Sequence, residues 1–322
     1  MSDTEYYRVI ESFPEQIKKA IEIIGKRSIT KKVNKIIITG MGGSAIPGDV
    51  LAAFLKKVPV PVFTNRSYHL PAFADKNTLV FAISYSGNTE ETISAYREAV
   101  RKSCVIIAIT SGGKLETLSN INNTELIKIP SGFQPRAALG YLFTSTAKIL
   151  ENTGIAPRTD WDHVIRTLKK PVFREMGESL AETIHKKIPI IYSSNHLFAA
   201  ALRWKTQFNE NSKIHAFANC FSELNHNEIV GFTKLNGKYH IIILKDNNDD
   251  ERMLKRIRLT KKIIEDCGVD VTEIALKGSS HITKLLSAIY IGDWCSYYLA
   301  LKNKVDPVPV SVIEDFKKKL GK

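Results

Sequence analysis

Short apolar runs, most of them ending in a glycine- or serine-rich turn, recur along this chain and limit what it can fold into. In the first half they are Ile36-Ile37-Ile38-Thr39, Pro61-Val62-Phe63-Thr64, Leu79 to Ile83, Cys104 to Thr110 and Leu126 to Ile129. They are too short for helices and uniformly apolar rather than alternating. Strands of that kind are buried on both faces, which calls for parallel sheets covered by helices on each side. Helical patterns over Ala45–Lys57, Thr92–Arg101 and Ala137–Glu151 supply the cover. Asn152 to Thr159 reads as a linker, polar and broken by Gly154 and Pro157. After helical segments to about Lys186 the pattern resumes, with strands at Ile188–Ser193, Ile214–Asn219, Tyr239–Lys245 and Val269–Ala275. Helices are expected at Leu197–Phe208, Asp250–Asp266, Ile282–Leu301 and Ser311–Leu320. The expected class is α/β, with two three-layer αβα domains over residues 1–152 and 153–322, each built on a mainly parallel sheet. A length of 322 residues suits two such domains.

Composition excludes several functions. The chain is 43% hydrophobic, enough for sizeable cores, yet no run nears the roughly 20 apolar residues that cross a bilayer. The acidic, polar start Met1-Ser2-Asp3-Thr4-Glu5 does not read as a signal peptide, so a cytoplasmic protein is expected. Cys104, Cys220, Cys267 and Cys295 show no metal-binding spacing, and three of them adjoin apolar residues, as buried reduced thiols do. A net charge of +13 would suit nucleic acid, but the lysines are scattered and no aromatic-interleaved basic ribbon accompanies them. A basic surface that attracts anionic metabolites is expected instead, with neither nucleic acid nor membrane as partner.

The densest chemistry follows the third strand, in Ser84-Tyr85-Ser86-Gly87-Asn88-Thr89-Glu90-Glu91-Thr92. Strand-to-helix loops converge backbone N–H groups and a helix dipole on an anion. Ser84, Ser86 and Thr89 add hydroxyl donors, and Gly87 allows close backbone approach. With no lysine or arginine in the loop, it suits a single phosphate monoester. The competing account is a helix start with a capping box, Asn88 or Thr89 being the cap. Gly40-Met41-Gly42-Gly43-Ser44-Ala45 resembles a dinucleotide fingerprint, but Phe63-Thr64-Asn65-Arg66 lacks the acidic residue that a ribose would need. Gly43 and Ser44 are therefore assigned to a sugar phosphate. Ser111-Gly112-Gly113-Lys114 fails as a P-loop because Leu115 follows the lysine.

In the second half, Glu210 ends a helix with an apolar stripe of Leu197, Ala200, Ala201, Trp204 and Phe208. There it faces the negative end of the helix dipole, which favours its protonated form and suits a general base; the alternative is an exposed helix-end glutamate. Glu223-Leu224-Asn225-His226-Asn227-Glu228 offers His226 as a proton carrier, or Glu223, His226 and Glu228 as metal ligands. No second His or Cys completes a metal set, so none is expected. Arg136 stands at a helix start, where a cation opposes the dipole, as an anion clamp would.

Together these segments resemble the archaeal and bacterial bifunctional phosphoglucose/phosphomannose isomerase family, within the sugar isomerase (SIS) domain superfamily. The resemblance rests on Gly40 to Ile46, Ser84 to Glu91, Gln134-Pro135-Arg136-Ala137-Ala138-Leu139-Gly140, Asn209-Glu210-Asn211 and Glu223 to Glu228. It implies tandem SIS domains in a homodimer, with active sites at the interface. It implies that Ser44, Ser84, Ser86 and Thr89 hold the 6-phosphate, and that Glu210 carries the proton between C2 and C1. By the same resemblance Arg136 stabilises the enediolate, while His226 of the other subunit and Lys317 of the last helix serve ring opening. Neither metal nor other cofactor is implied. Two positions depart from the family pattern. Pro47 replaces a glycine, and Asp306-Pro307-Val308-Pro309-Val310 lacks the threonine associated with the mannose epimer. The rival accounts are a non-catalytic sugar-phosphate sensor and a metal-dependent phosphomannose isomerase.

Overall fold

Uniformly apolar strands do form parallel sheets here, one in each of two units. The computed structural model describes residues 5–321. Residues 11–169 make one unit, and the chain from 170 onward groups with the N-terminal helix α1 (Glu5–Glu11) to make the other. The division thus falls beyond the polar stretch 152–159 rather than within it.

The first unit opens with α2 (Phe13–Ile24), whose Phe13, Ile17, Ala20 and Ile24 lie at helical spacing and are all buried. Then follow β1 (Lys35–Thr39), α3 (Ile46–Phe54), β2 (Val62–Asn65), β3 (Thr78–Ile83), α4 (Glu90–Arg101) and β4 (Val105–Thr110). Helix α5 (Gly113–Ile121), β5 (Glu125–Lys128), α6 (Leu139–Asn152) and α7 (Trp161–Leu168) complete it. All pairs in the sheet are parallel, in the order β2-β1-β3-β4-β5, with Ile37 level with Val80 and Phe63. From β1 the chain crosses to one side of the sheet, and from β3 to the other. Their carboxyl ends therefore flank a switch point, where open α/β sheets leave a crevice. Tyr96, Ala99, Val80, Ala82 and Ile106 belong to the core beneath α4. Pro47 sits in the first turn of α3, where its missing N–H is no loss.

The second unit continues with α8 (Val172–Ile184), β6 (Ile188–Ser193), α9 (Phe198–Glu210), β7 (Phe217–Cys220), α10 (Phe221–Leu224) and β8 (Tyr239–Asp246). It ends with α11 (Glu251–Asp266), β9 (Asp270–Leu276), α12 (His281–Lys302) and α13 (Ser311–Leu320). Its four strands are parallel in the order β7-β6-β8-β9, so β6 and β8 again flank a switch point. Helix α12 packs against α8 and α9. No residue of α13 is buried.

Two expectations are corrected, on β7 and on the cysteines, and one helix is added. Strand β7 begins at Phe217, because Ile214 belongs to the turn after α9. Helix α5 was not anticipated, its start being hidden by Gly112 and Gly113. Of the four cysteines only Cys295 is buried, while Cys104, Cys220 and Cys267 are partly exposed.

Candidate active site

Loops at the carboxyl ends of the first sheet carry the phosphate-site candidates, and hydrogen bonds join them. Ser84 is fully buried and its hydroxyl donates to Thr89 Oγ1 at 3.0 Å. Ser44 Oγ accepts the Tyr85 N–H at 3.2 Å, which ties the loop after β1 to the loop after β3. Ser86 is exposed, and its Oγ accepts the Asn88 N–H at 3.3 Å. Thr89 occupies the N-cap of α4 but makes no capping bond with its side chain. The capping box is therefore absent, and the hydroxyls face one another around the start of a 12-residue helix.

Gly87 is left-handed at φ +71°, and a Cβ there would lie 1.8 Å from the Gly112 carbonyl oxygen. What approaches Gly87 closely is thus the neighbouring loop. Ser111 donates to the Tyr85 carbonyl through both N–H and hydroxyl, at 3.0 and 2.6 Å. Leu115 N–H donates to the Gly87 carbonyl at 2.8 Å, and Lys114 N–H to Asn88 Oδ1 at 3.0 Å. The Ser111–Lys114 segment, discarded as a P-loop, is a brace under the cradle.

Tyr85, which sequence reasoning passed over, is the hub. Its phenol donates to the Pro130 carbonyl at 3.0 Å and accepts the Phe133 N–H at 2.8 Å. Burial pushes the phenol up, so it keeps the proton it donates. The anchored loop leads into the 3₁₀ turn Pro135–Ala137, where Arg136 is 2% exposed. Gly43 lies flush on that turn, since a Cβ on it would be 2.6 Å from Arg136 Cα. One unit thus brings together Gly43, Ser44, Ser84, Ser86, Thr89 and Arg136.

The acid–base candidates lie in the second unit. Glu210 is the last residue of α9 and half-buried, while Asn211 and Ser212 after it are fully buried. Lys213 Nζ donates to the Glu210 main-chain carbonyl and, at 2.7 Å, to that of Pro309. His226 is exposed in the turn after α10, and Lys317 is exposed on α13, so both stand on elements separate from α9. The carboxylates weighed as metal ligands beside His226 are engaged elsewhere. Glu228 accepts from the Tyr192 phenol at 2.7 Å and from Asn219 Nδ2 at 2.5 Å, and Glu223 accepts from Asn227 Nδ2 at 2.5 Å. Among the described residues no group of three His, Cys, Asp or Glu side chains could hold a metal ion. Likewise, no helix there is long and apolar enough to cross a membrane.

Comparison with known proteins places both parts of the chain among SIS-domain families. Residues 173–320 match the family described as Bacterial phospho-glucose isomerase C-terminal SIS domain, and residues 29–126 match the SIS domain. The chain is 42% identical over 335 aligned positions to the bifunctional phosphoglucose/phosphomannose isomerase of Caldicellulosiruptor bescii, covering 98% of each chain. It is 41% identical to the protein of the same name from Thermoplasma acidophilum, over 91% of each. Among solved structures, a hypothetical protein of Thermus thermophilus superposes with a TM-score of 0.78 at 14% identity, over 99% of this chain and 91% of that one. That last likeness is one of fold.

Proposed function

The chain belongs to the bifunctional phosphoglucose/phosphomannose isomerase family, and on that footing we propose that it interconverts glucose 6-phosphate and mannose 6-phosphate with fructose 6-phosphate through a cis-enediol. The observation that carries this reading is the three-loop cradle, with the Ser44 and Ser84 hydroxyls buried in it, the start of α4 beside them and Arg136 packed against Gly43. Ser44, Ser84, Ser86 and Thr89 bind the phosphate dianion with the first N–H groups of α4. Arg136 supplies fixed positive charge where the enediolate develops. Glu210 takes the C2 proton and returns it to C1. Glucose 6-phosphate and mannose 6-phosphate differ only at C2 and collapse to the same planar enediol, so one carboxylate serves both. His226 and Lys317 open the sugar ring, and their exposure in the single chain suits His226 being lent to a second subunit. Nothing in this scheme calls on a metal.

The test is fructose 6-phosphate formation from each aldose phosphate with EDTA present. Product from both supports the dual isomerase. Product from glucose 6-phosphate alone assigns the missing threonine of 306–310 a role in epimer choice. Loss of mannose turnover on chelation favours a metal enzyme, and sugar-phosphate binding without product favours a sensor.

A further inference from the structure

We propose that Tyr6, on the N-terminal helix, is a positioning residue for the Glu210 carboxylate, acting through Asn211. The proposal rests on the reading of Glu210 as the base. Glu210 is the last residue of α9; Lys213 Nζ holds its main-chain carbonyl and the Asn211 N–H holds that of Gln207, but these bonds fix the main chain and not the side chain. The helix alone therefore does not fix where its carboxylate lies.

A polar ladder against α12 sets the register of the helix that carries it. Arg203 makes a two-pronged pair with Asp293, Nε to Oδ1 at 3.1 Å and Nη2 to Oδ2 at 2.8 Å. Gln207 Nε2 donates to the same Oδ1 at 3.0 Å, and Asn211 Nδ2 donates to Ser296 Oγ at 2.9 Å. Positions 203, 207 and 211 form one stripe of α9, adjacent to Glu210. An apolar helix contact tolerates small slides and rotations. Buried donors and acceptors are satisfied in one register only.

Asn211 is the rung beside the base, and Tyr6 sets its orientation. The buried Tyr6 phenol, 3% exposed, donates to Asn211 Oδ1 at 3.0 Å. With its oxygen taken by Tyr6 and its nitrogen by Ser296, the amide has a single orientation. Ser296 Oγ in turn donates to the Asp293 carbonyl at 2.8 Å, so the ladder is continuous from Arg203 to Tyr6. A segment some two hundred residues earlier in sequence (the separation is 205) thereby reaches the neighbour of the catalytic carboxylate.

Tyr6→Phe removes one oxygen and keeps the ring. On the same helix, Tyr7→Phe removes the bond that Arg174 Nη1 donates to the Tyr7 phenol at 2.6 Å, without touching Asn211. Tyr6→Phe is expected to lower kcat about 3- to 10-fold, the worth of one buried hydrogen bond, with KM within about 2-fold because the phosphate is held by the loops of residues 11–169. Tyr7→Phe is expected to keep the wild-type kcat. In an Asn211→Ala background, Tyr6→Phe should cost nothing more. Wild-type kcat in Tyr6→Phe, an equal loss in Tyr7→Phe, or a further loss in the double variant each overturns the positioning role. Glu210→Gln separates the two claims. If it is inactive while Tyr6→Phe is unaffected, only the positioning role fails; if it stays active, the base assignment fails and takes Tyr6 with it.

Discussion

At Gly87 a single methyl group would separate two loops that hold each other. The ideal Cβ falls 1.8 Å from the Gly112 carbonyl oxygen; the oxygen is main chain and the Cβ is fixed by its own backbone, so neither can turn away. Gly87→Ala should therefore displace the loop that carries Ser84, Ser86 and Thr89 and raise KM for the sugar phosphate by about tenfold or more. Steady-state kinetics checks this, and an unchanged KM would remove the loop from phosphate binding. His226 poses a different question, since it is exposed and its proposed work is ring opening. His226→Ala should lose about 10²-fold in turnover on ring-closed substrate and distinctly less on open-chain substrate. Equal losses on both would contradict a ring-opening role.

Helix α12 shows how an element can be placed by what it lacks. Gly292 lets it approach α9 so closely that an added Cβ would lie 2.3 Å from Trp204 Nε1, and that indole donates to the Ala288 carbonyl at 2.7 Å. Gly177 of α8 meets the other side of α12 in the same way, its ideal Cβ being 2.6 Å from Trp294 Cβ. The two tryptophans are nearly inaccessible and cannot swing aside. Gly292→Ala should cost about 1–3 kcal/mol of stability by overpacking, read as a lower urea midpoint. It should also lower kcat, because α9 and its terminal Glu210 must shift with the tryptophan. A midpoint equal to wild type would mean that the helices part without penalty.

For the molecule as a whole, stability should depend on acid in a direction set by buried groups. Burial, aided by the nearby Lys187 ammonium, pushes the His240 imidazole down to about 4. The unfolded chain binds that proton near the ordinary histidine value of about 6.5, so stability falls as pH drops from about 6.5 to about 4. The loss from this group is on the order of 3 kcal/mol at most. Burial pushes the Asp246 carboxyl up, but the hydrogen bond from Lys284 at 2.6 Å and the Asn248 N–H outweigh it and hold the group below the usual carboxylate range. Its contribution is present above about pH 4 and is lost on further acidification. Urea midpoints at about pH 7 and about pH 4.5 should therefore differ less in His240→Gln than in wild type. An equal difference in both proteins would show that His240 does not titrate in that window.

The sequence by itself determined the α/β class, most of the strands and the loops at their carboxyl ends where the candidate hydroxyls stand. Those are local properties, since a β-branched apolar run of five or six residues bounded by glycine or serine turns is too short for a helix and fits a strand buried on both faces. A serine-rich turn before a helix presents its donors whatever else is nearby. The position of Glu210 at the end of α9 was legible for the same reason. Only the tertiary structure decided which loops touch. Gly43 reads as a flexible turn residue until Arg136 packs against it, and Gly87 as a ligand contact until Gly112 fills the space. Tyr85 carries no motif, and the bond from Tyr6 to Asn211 spans 205 positions. Such pairings depend on how separately formed elements are set against one another, and no local period or turn chemistry records that.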